Sequence, residues 1–174
     1  MNNQAGIIGA STWLARELAK WLKKWRFPYD IVLFDENEEC GRTFEYQDQF
    51  YPVHRLSDER LFTCTVLFDC IGKADQLIPQ EKQEQMWIIR LCGCEKIGKL
   101  VLPSVNLDQL TANDHNLRIP TAAFAMAAMI FAALKQGHTL RKGVFTSLHS
   151  VAEVGDEGCK DLMEQPMAYV AGQE

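Results

Sequence analysis

The residues best placed for chemistry lie near the start of the chain. An apolar run at 5–8 leads into a turn, Gly9 to Leu14, and a helical segment follows at 15–25. A second apolar run, 31–34, ends on Asp35. A tight glycine turn before a helix exposes backbone N–H groups to phosphate, and an acid after the next strand can accept hydrogen bonds from ribose hydroxyls. This order predicts a dinucleotide-binding βαβ unit.

Seven residues follow from this plan as candidates for cofactor binding. Five belong to the turn, one closes the second strand, and the last ends a third apolar strand at 64–70. The turn would offer its backbone to the pyrophosphate, and the strand-end acid would face the ribose. The candidates are Gly9, Ser11, Thr12, Trp13, Leu14, Asp35 and Gly72.

Strands that alternate with helices would position these residues, and this alternation predicts an α/β fold with a mostly parallel sheet. Trp21 and Trp25 recur at helical spacing, which predicts that both pack in the core. The helix predicted at 122–136 is apolar almost all round, so we expect it to be buried on more than one side. Further strands are predicted at 87–91, 99–106, 117–120 and 144–151, a hairpin at 43–53, a helical turn at 57–61, and helices at 76–86, 106–112 and 156–168.

The composition narrows the classes of partner. The chain has 174 residues, a net charge of −5 and no basic stripe, which argues against nucleic acid or an anionic membrane as the main partner. The opening residues do not resemble a signal peptide, and the apolar stretch at 121–134 is too short to span a bilayer. Six scattered cysteines favour reduced thiols in the cytoplasm.

Four stretches of the chain carry a family resemblance. They are the opening strand, turn and helix at 7–25, the Phe-Pro stretch with its strand and loop at 27–41, Leu-Val-Leu-Pro-Ser-Val-Asn at 100–106, and the segment 144–165. In this order they resemble the aspartate-semialdehyde dehydrogenase family. The resemblance implies a Rossmann-like dinucleotide-binding domain at 1–120 and, at 121–174, a helix–strand–helix remnant of the family's catalytic and dimerisation domain. It covers nearly all of this chain but about the first half of a typical member.

The resemblance also locates the family's nucleophile. Members use a cysteine thiolate at the start of a helix, because its sulfur is a strong nucleophile and a good leaving group. Counting back from Ser147 without gaps places Ala122 at that cysteine. Thr121, one residue earlier, is interpreted as a helix N-cap. His149 falls where the family has an active-site glutamine and is interpreted as a surface or structural residue, so we expect no catalytic residue in this chain.

The nucleotide turn departs from the family pattern, which is Gly-Ala-Thr-Gly-Ala-Val-Gly. Gly9 keeps the first glycine, but Thr12 replaces the second, which lets the backbone approach the pyrophosphate. Ala15 replaces the third, and Trp13 adds bulk beside the expected phosphate position. Binding of an anion to the remaining N–H groups is still possible.

The loop after Asp35 bears on the choice of cofactor. Many family members hold the 2′-phosphate of NADP there with serine and arginine side chains. Here the matching residues are Glu36, Glu38 and Glu39, and their charges would repel a phosphate. NADP is therefore disfavoured, whereas NAD remains possible because Asp35 lies where an NAD-type acid would. The alternative is a solvated acidic loop without a ligand.

No metal site is predicted. Cys92-Gly93-Cys94 places two thiols close together, but no second Cys or His pair follows at zinc-binding spacing. This segment alone does not form a ligand set.

Three functions remain open at this point. The first is a catalytically inactive relative of semialdehyde dehydrogenase that serves as a small nucleotide-binding or protein-binding module. The second is an active NAD-dependent oxidoreductase acting on an aldehyde, and the third is a half-enzyme that a partner chain completes. Residues 122–151 would normally face the family's second domain. We therefore expect them either to fold back on the sheet or to form a homodimer or partner-protein interface.

Overall fold

A computed structural model describes residues 3–36, 40–46, 49–92, 97–151, 156–170 and 172. Its centre is an eight-stranded sheet in the order β3-β4-β2-β1-β5-β6-β8-β7. Every neighbouring pair is parallel except the β3–β4 hairpin, so the predicted α/β class is confirmed. The strands are β1 Gln4–Ile8, β2 Asp30–Asp35, β3 Thr43–Tyr46, β4 Gln49–Arg55, β5 Val66–Asp69, β6 Trp87–Arg90, β7 Lys99–Leu100 and β8 Asn116–Arg118.

Helices connect these strands. The described helices are α1 Trp13–Lys24, α2 Ala74–Leu77, α3 Gln80–Gln83, α4 Pro103–Asn106, α5 Ala122–Gly137 and α6 Asp156–Val170, with 3₁₀ turns at Glu59–Thr63 and Leu107–Gln109. The predicted turn at 57–61 is confirmed as the first of these 3₁₀ segments, and the side chain of Asp58 caps it by accepting from the Arg60 N–H.

The central strands are buried on both faces. Ile7 of β1 and Phe68 of β5 belong to one core cluster, whereas Ile8 and Leu67, their neighbours along the chain, belong to another. Successive side chains of a strand point to opposite faces, so two cores form on the two sides of one sheet. This is the reason that β1 and β5 read as unbroken apolar runs.

The prediction that Trp21 and Trp25 pack in the core is wrong. Trp21 is 43% exposed and Trp25 is 68% exposed, whereas Ala15 and Leu22 provide the buried face of α1. The helix carries apolar residues on both of its faces, and only one face can meet the sheet. The two indoles instead pack against each other, with ring centroids 5.3 Å apart, and the Lys24 ammonium lies 4.4 Å from the Trp21 ring centroid.

Proline accounts for two further differences from prediction. The helix expected at 76–86 is two single turns, α2 and α3, because Pro79 interrupts the run of backbone donors. The strand expected at 99–106 pairs only at Lys99 and Leu100, and Pro103 opens the helical turn α4. Asn106, expected to cap the helix predicted at 106–112, instead accepts from the Leu102 N–H.

The predicted strand at 144–151 is also absent: the described residues 141–150 contain neither helix nor strand. Alternating side chains do not make a strand unless a neighbouring edge supplies hydrogen bonds. The chain divides into two compact units, 1–129 and 130–174, and the boundary falls inside α5. The division expected between residues 120 and 121 stays a prediction.

Helix α5 begins and ends as predicted but is less buried. The hydroxyl of Thr121 accepts from the Phe124 N–H at 3.4 Å, and Gly137 is the last helical residue. Ala123 and Ala127 are its buried residues, so the expected burial on several sides is wrong. The exposed large apolar side chains of α5 are Phe124, Met126, Met129, Ile130 and Leu134. Among the described residues, no helix is long and apolar enough to cross a membrane.

The turn after β1 yields a stability prediction. Gly9 has φ of +84°, and a Cβ there would lie 2.4 Å from the Ile71 Cγ2 atom. Gly41 has nearly the same φ, +83°, but no atom within 4 Å of an added Cβ. Gly41→Ala is therefore expected to lower the free energy of unfolding by about 1 kcal/mol, and Gly9→Ala by about 3 kcal/mol, because only the latter adds a clash. Urea denaturation checks this, and equal losses would contradict it.

Candidate functional site

The candidate site lies at the carboxyl ends of the central parallel strands. β2, which follows β1 through α1, lies on one side of β1, and β5, which the chain reaches from β4, lies on the other, so the strand order reverses at β1. Ligands of open α/β sheets bind in the crevice at such a switch point. The register places Ile8 beside both Phe34 and Asp69, and Asp69 beside Arg90. The ends of four strands therefore form one continuous edge.

The turn at this edge is held against β2. The N–H groups of Gly9 and Ala10 both donate to the Phe34 carbonyl oxygen, at 2.9 and 3.1 Å. The Thr12 hydroxyl donates to the Gly9 carbonyl at 2.7 Å and accepts from the Ala15 N–H at 3.2 Å. Thr12, predicted to bind a cofactor, thus uses its side chain to cap α1.

Asp35 is turned toward this same turn. Its side chain is only 4% exposed, and its Oδ2 atom accepts from the Ser11 N–H at 2.5 Å. Its Oδ1 atom accepts from the Glu36 N–H at 2.8 Å. The carboxylate therefore lies at the positive amino end of α1 and occupies a backbone donor that a bound phosphate would use. A carboxylate of the protein itself therefore lies where the turn would bind a phosphate.

The candidate Gly72 also donates its N–H group to a strand-end carboxylate, that of Asp69, which is fully buried. The Oδ1 atom of Asp69 accepts from the N–H groups of Ile71, Gly72 and Lys73 at 3.1, 2.8 and 3.3 Å, and its Oδ2 atom accepts from the Ala74 N–H at 2.8 Å. Four backbone donors thus compensate one buried charge. Our sequence reasoning missed this role, although an acid that closes an apolar strand before Gly72 is its signal.

Arg90 is the third buried charge of the described chain, at 2% exposure. Its guanidinium donates to the Asp75 carboxylate and to the side-chain oxygen of Asn116. The Arg90 Nε and Asp75 Oδ2 atoms have no hydrogen-bond partner. Asp75 is partly exposed, but removing its carboxylate would be costly because the buried Arg90 charge would be left uncompensated. Nothing in the apolar strand pattern at 87–91 signals this pairing.

An ion pair also crosses the edge. The Lys73 ammonium donates to the Glu36 carboxylate. Glu36 follows β2 and Lys73 follows β5, so this contact spans the carboxyl end of β1, which lies between those strands. Both side chains are largely exposed, and such pairs contribute at most about 1 kcal/mol. The pair is a weak link across the crevice.

The other predicted residues divide between site and core. Trp13 is 74% exposed beside the turn, whereas Leu14 is half-buried and packs against the core cluster that contains Ile7. Glu38 and Glu39, which supported the expectation against NADP, lie outside the described residues. The structure thus places Gly9, Ser11, Thr12, Trp13, Asp35 and Gly72 along the strand ends, whereas Leu14 packs against the core.

The predicted nucleophile position lies at the start of α5. Ala122 is the first residue of that helix, and Thr121 is its N-cap. The helix start expected from the family resemblance is therefore present, and its first residue carries a methyl group. His149 is exposed, and its Nε2 atom lies 2.6 Å from the Ser147 hydroxyl.

Two described thiols are buried at opposite ends of β5: Cys64 precedes the strand, and Cys70 follows it at the carboxyl edge. Burial raises the pKa of Cys64 to about 11. Burial, with smaller contributions from Cys92 and Asp69, also raises the pKa of Cys70. Cys94 lies outside the described residues, and among those described no group of three or more His, Cys, Asp or Glu side chains could hold a metal ion. Neither buried thiol has the lowered pKa that a nucleophile requires.

Comparison with known proteins supports the fold. No protein-family model and no curated protein sequence matches this chain. A probable aspartate-semialdehyde dehydrogenase from Pseudomonas aeruginosa matches all of this chain and 54% of its own, at 18% identity and a TM-score of 0.78. Aspartate semialdehyde dehydrogenase II from Vibrio cholerae matches all of this chain and 54% of its own, at 17% identity and a TM-score of 0.73.

A third match carries a cofactor in its own structure. Aspartate semialdehyde dehydrogenase from Candida albicans, solved with NADP, covers 78% of this chain and 48% of its own, at 14% identity and a TM-score of 0.57. This chain thus spans about half the length of the solved structures it matches. The resemblance drawn from the sequence motifs is confirmed for the fold.

The burial of the thiols yields a labelling prediction. Iodoacetamide at about pH 8 should leave Cys64 and Cys70 of the native protein unmodified, because few of these thiols are ionised and both are shielded. Cys40 and Cys159, which are partly exposed, serve as internal positive controls. Peptide mass spectrometry after short exposure measures each site. Alkylation of Cys64 or Cys70 faster than of Cys40 would instead reveal an activated thiol.

Proposed function

We propose that this chain is a catalytically inactive relative of semialdehyde dehydrogenase that acts as a protein-interaction module. The observation that carries the proposal is the identity of Ala122 at the first position of α5. Acyl transfer by the family's mechanism needs a sulfur at that helix start, and a methyl group has neither a lone pair nor an ionisable proton. Thr121 does not replace the thiol, since its hydroxyl already caps the helix.

The geometry of the turn supports weak dinucleotide affinity. The Asp35 carboxylate holds the Ser11 amide, and Asp69 holds that of Gly72. A dinucleotide phosphate would need to displace these internal acceptors or bind beside their charges, and either arrangement costs free energy. The N–H groups of Trp13 and Leu14, in the first turn of α1, have no partners within the helix and would be the donors offered to a phosphate.

An active NAD-dependent oxidoreductase is the second candidate. The observation that favours it is the shape of the turn, which retains a left-handed Gly9 and an acid at the end of β2. Asp35 would have to turn outward to reach a ribose hydroxyl. A nucleotide titration together with a turnover assay separates the two candidates.

The cofactor prediction concerns Asp35. The protein should show no phosphate-dependent NAD(P)H production from aspartate semialdehyde, and calorimetry should show at most about millimolar affinity for NAD or NADP. Asp35→Asn should lower the Kd for NADP about tenfold, because it removes a charge from the phosphate cradle. Asp30→Asn, at the exposed opposite end of β2, is the matched control and should leave the Kd unchanged.

Two outcomes would decide against this proposal. Turnover above a no-protein blank would establish the oxidoreductase candidate. Micromolar binding of NAD by the unmodified protein, without turnover, would agree with the proposed loss of catalysis. It would contradict the proposal that the Asp35 carboxylate weakens dinucleotide binding.

We propose that the interaction is a homodimer formed through α5. Sixteen residues make up this helix, and five of its large apolar side chains are exposed in the single chain. Such a surface is costly to leave in water and typically marks an interface. Lys135, near the carboxyl end, is the one charged residue of α5, so two copies of the helix can pack together without burying many charged side chains.

The dimer prediction uses one α5 side chain and one control. Met126→Glu should raise the dimer dissociation constant at least about tenfold, because it places a charge in the apolar interface. Phe50→Glu alters a side chain of similar exposure on β4 and should leave the dimer intact. Analytical ultracentrifugation measures both. A protein that is monomeric at high concentration would contradict the homodimer and favour a different partner chain.

A further inference from the structure

A cavity lies between α1 and the strands β2, β3 and β4, and Ala10 of the turn after β1 is among its lining residues. Its volume is about 230 Å³. Ala15 and Ala19 line it on the helix, one turn apart, and Leu33 lines it on β2. The alanine methyl groups are too short to fill the space between the helix and the hairpin, and a void remains.

The far wall of this cavity is aromatic and its rim is cationic. Phe44 and Tyr51, from opposite strands of the β3–β4 hairpin, provide the rings. Arg16 and Lys20 are exposed on α1 and also line the cavity, and the Arg16 guanidinium lies 5.0 Å from the Phe44 ring centroid. The lining residues include these two cations and no acid.

We propose that this cavity binds a small aromatic carboxylate. An apolar cavity of about 150 Å³ is large enough for benzene, so the volume here holds a substituted ring. The ring would pack against Phe44 and Tyr51, and the carboxylate would lie at the rim beside Arg16 and Lys20. The charge complementarity selects an anion over a neutral aromatic molecule.

This inference is independent of the lost dehydrogenase chemistry. Apart from Ala10 of the turn, the lining residues lie on α1 and on β2, β3 and β4, whereas the hydrogen bonds of the crevice involve the turn and the strand ends. The Lys20 ammonium also lies 2.5 Å from the Glu17 carboxylate, so it must turn from that partner to meet a ligand. Arg16 is therefore the main anion contact, and its loss should have the larger effect.

Benzoate is the probe, with two partial analogues as controls. Benzyl alcohol offers the ring without the charge, and acetate offers the charge without the ring. In a titration followed by amide chemical shifts, benzoate should bind with a Kd of about 1 mM and shift residues of α1 and β2. Benzyl alcohol should bind at least about fivefold more weakly, and acetate should produce no saturable shift.

Two pairs of variants test the cavity and its rim separately. Ala19→Leu fills the void and should abolish benzoate binding, whereas Ala19→Ser keeps the space and should preserve it. Arg16→Gln should weaken benzoate binding about fivefold, whereas Lys24→Gln, on the same helix beside Trp21, should not change it. Arg16 is exposed, so this variant tests the proposal even if Ala19→Leu fails to fold.

The proposal is overturned if benzoate causes no saturable shift, or if acetate matches it. It is equally overturned if Ala19→Leu folds and binds benzoate as the unmodified protein does. Loss of binding in Ala19→Leu and weakening in Arg16→Gln, with both controls unchanged, would establish the site.

Discussion

Compensation of buried charge at the carboxyl ends of the strands is the constraint on which the rest of this structure depends. Asp35, Asp69 and Arg90 are the buried charged residues of the described chain, and each follows or ends a central parallel strand. A charge taken out of water is stable only with hydrogen-bonding partners. Backbone amides of the adjoining turns supply them for the two acids. These hydrogen bonds therefore link the sheet to the starts of the helices, in addition to the packing of the two apolar cores.

The same compensation determines what the crevice can offer a ligand. In a dinucleotide-binding turn, amides at the helix start stay available until a phosphate arrives. Here Asp35 already accepts from the Ser11 amide, and Asp69 accepts from Gly72. A ligand gains little from donors that are already bound, since it exchanges one acceptor for another. The internal carboxylates thus stabilise the fold with the groups that a dinucleotide would otherwise use.

Local features of the sequence predicted the structure better than nonlocal ones. The Thr121 cap and the strand ending at Asp35 depend on neighbouring residues, and both are present. The direction of the Asp35 side chain depends on a donor 24 positions away, so the pattern did not reveal it. The predictions that Trp21 is buried and that residues 144–151 form a strand were wrong for a related reason. An apolar helix face is buried, and an alternating segment forms a strand, only when another surface or strand edge is available to meet it. The pairing of Arg90 with Asp75 and Asn116 likewise joins separate segments.

The two helix starts to which the family resemblance assigns dehydrogenase chemistry share one feature. The amino end of a helix stabilises an anion, whether a phosphate or a thiolate. At α1 the anion is Asp35, a side chain of the protein itself. At α5 the cap is a neutral hydroxyl on Thr121, and the next residue, Ala122, carries no ionisable group. At both helix starts a side chain of the protein accepts from the backbone donors, and this agrees with the non-catalytic role that we propose. The exposed apolar side chains of α5 are the surface that we propose for the homodimer.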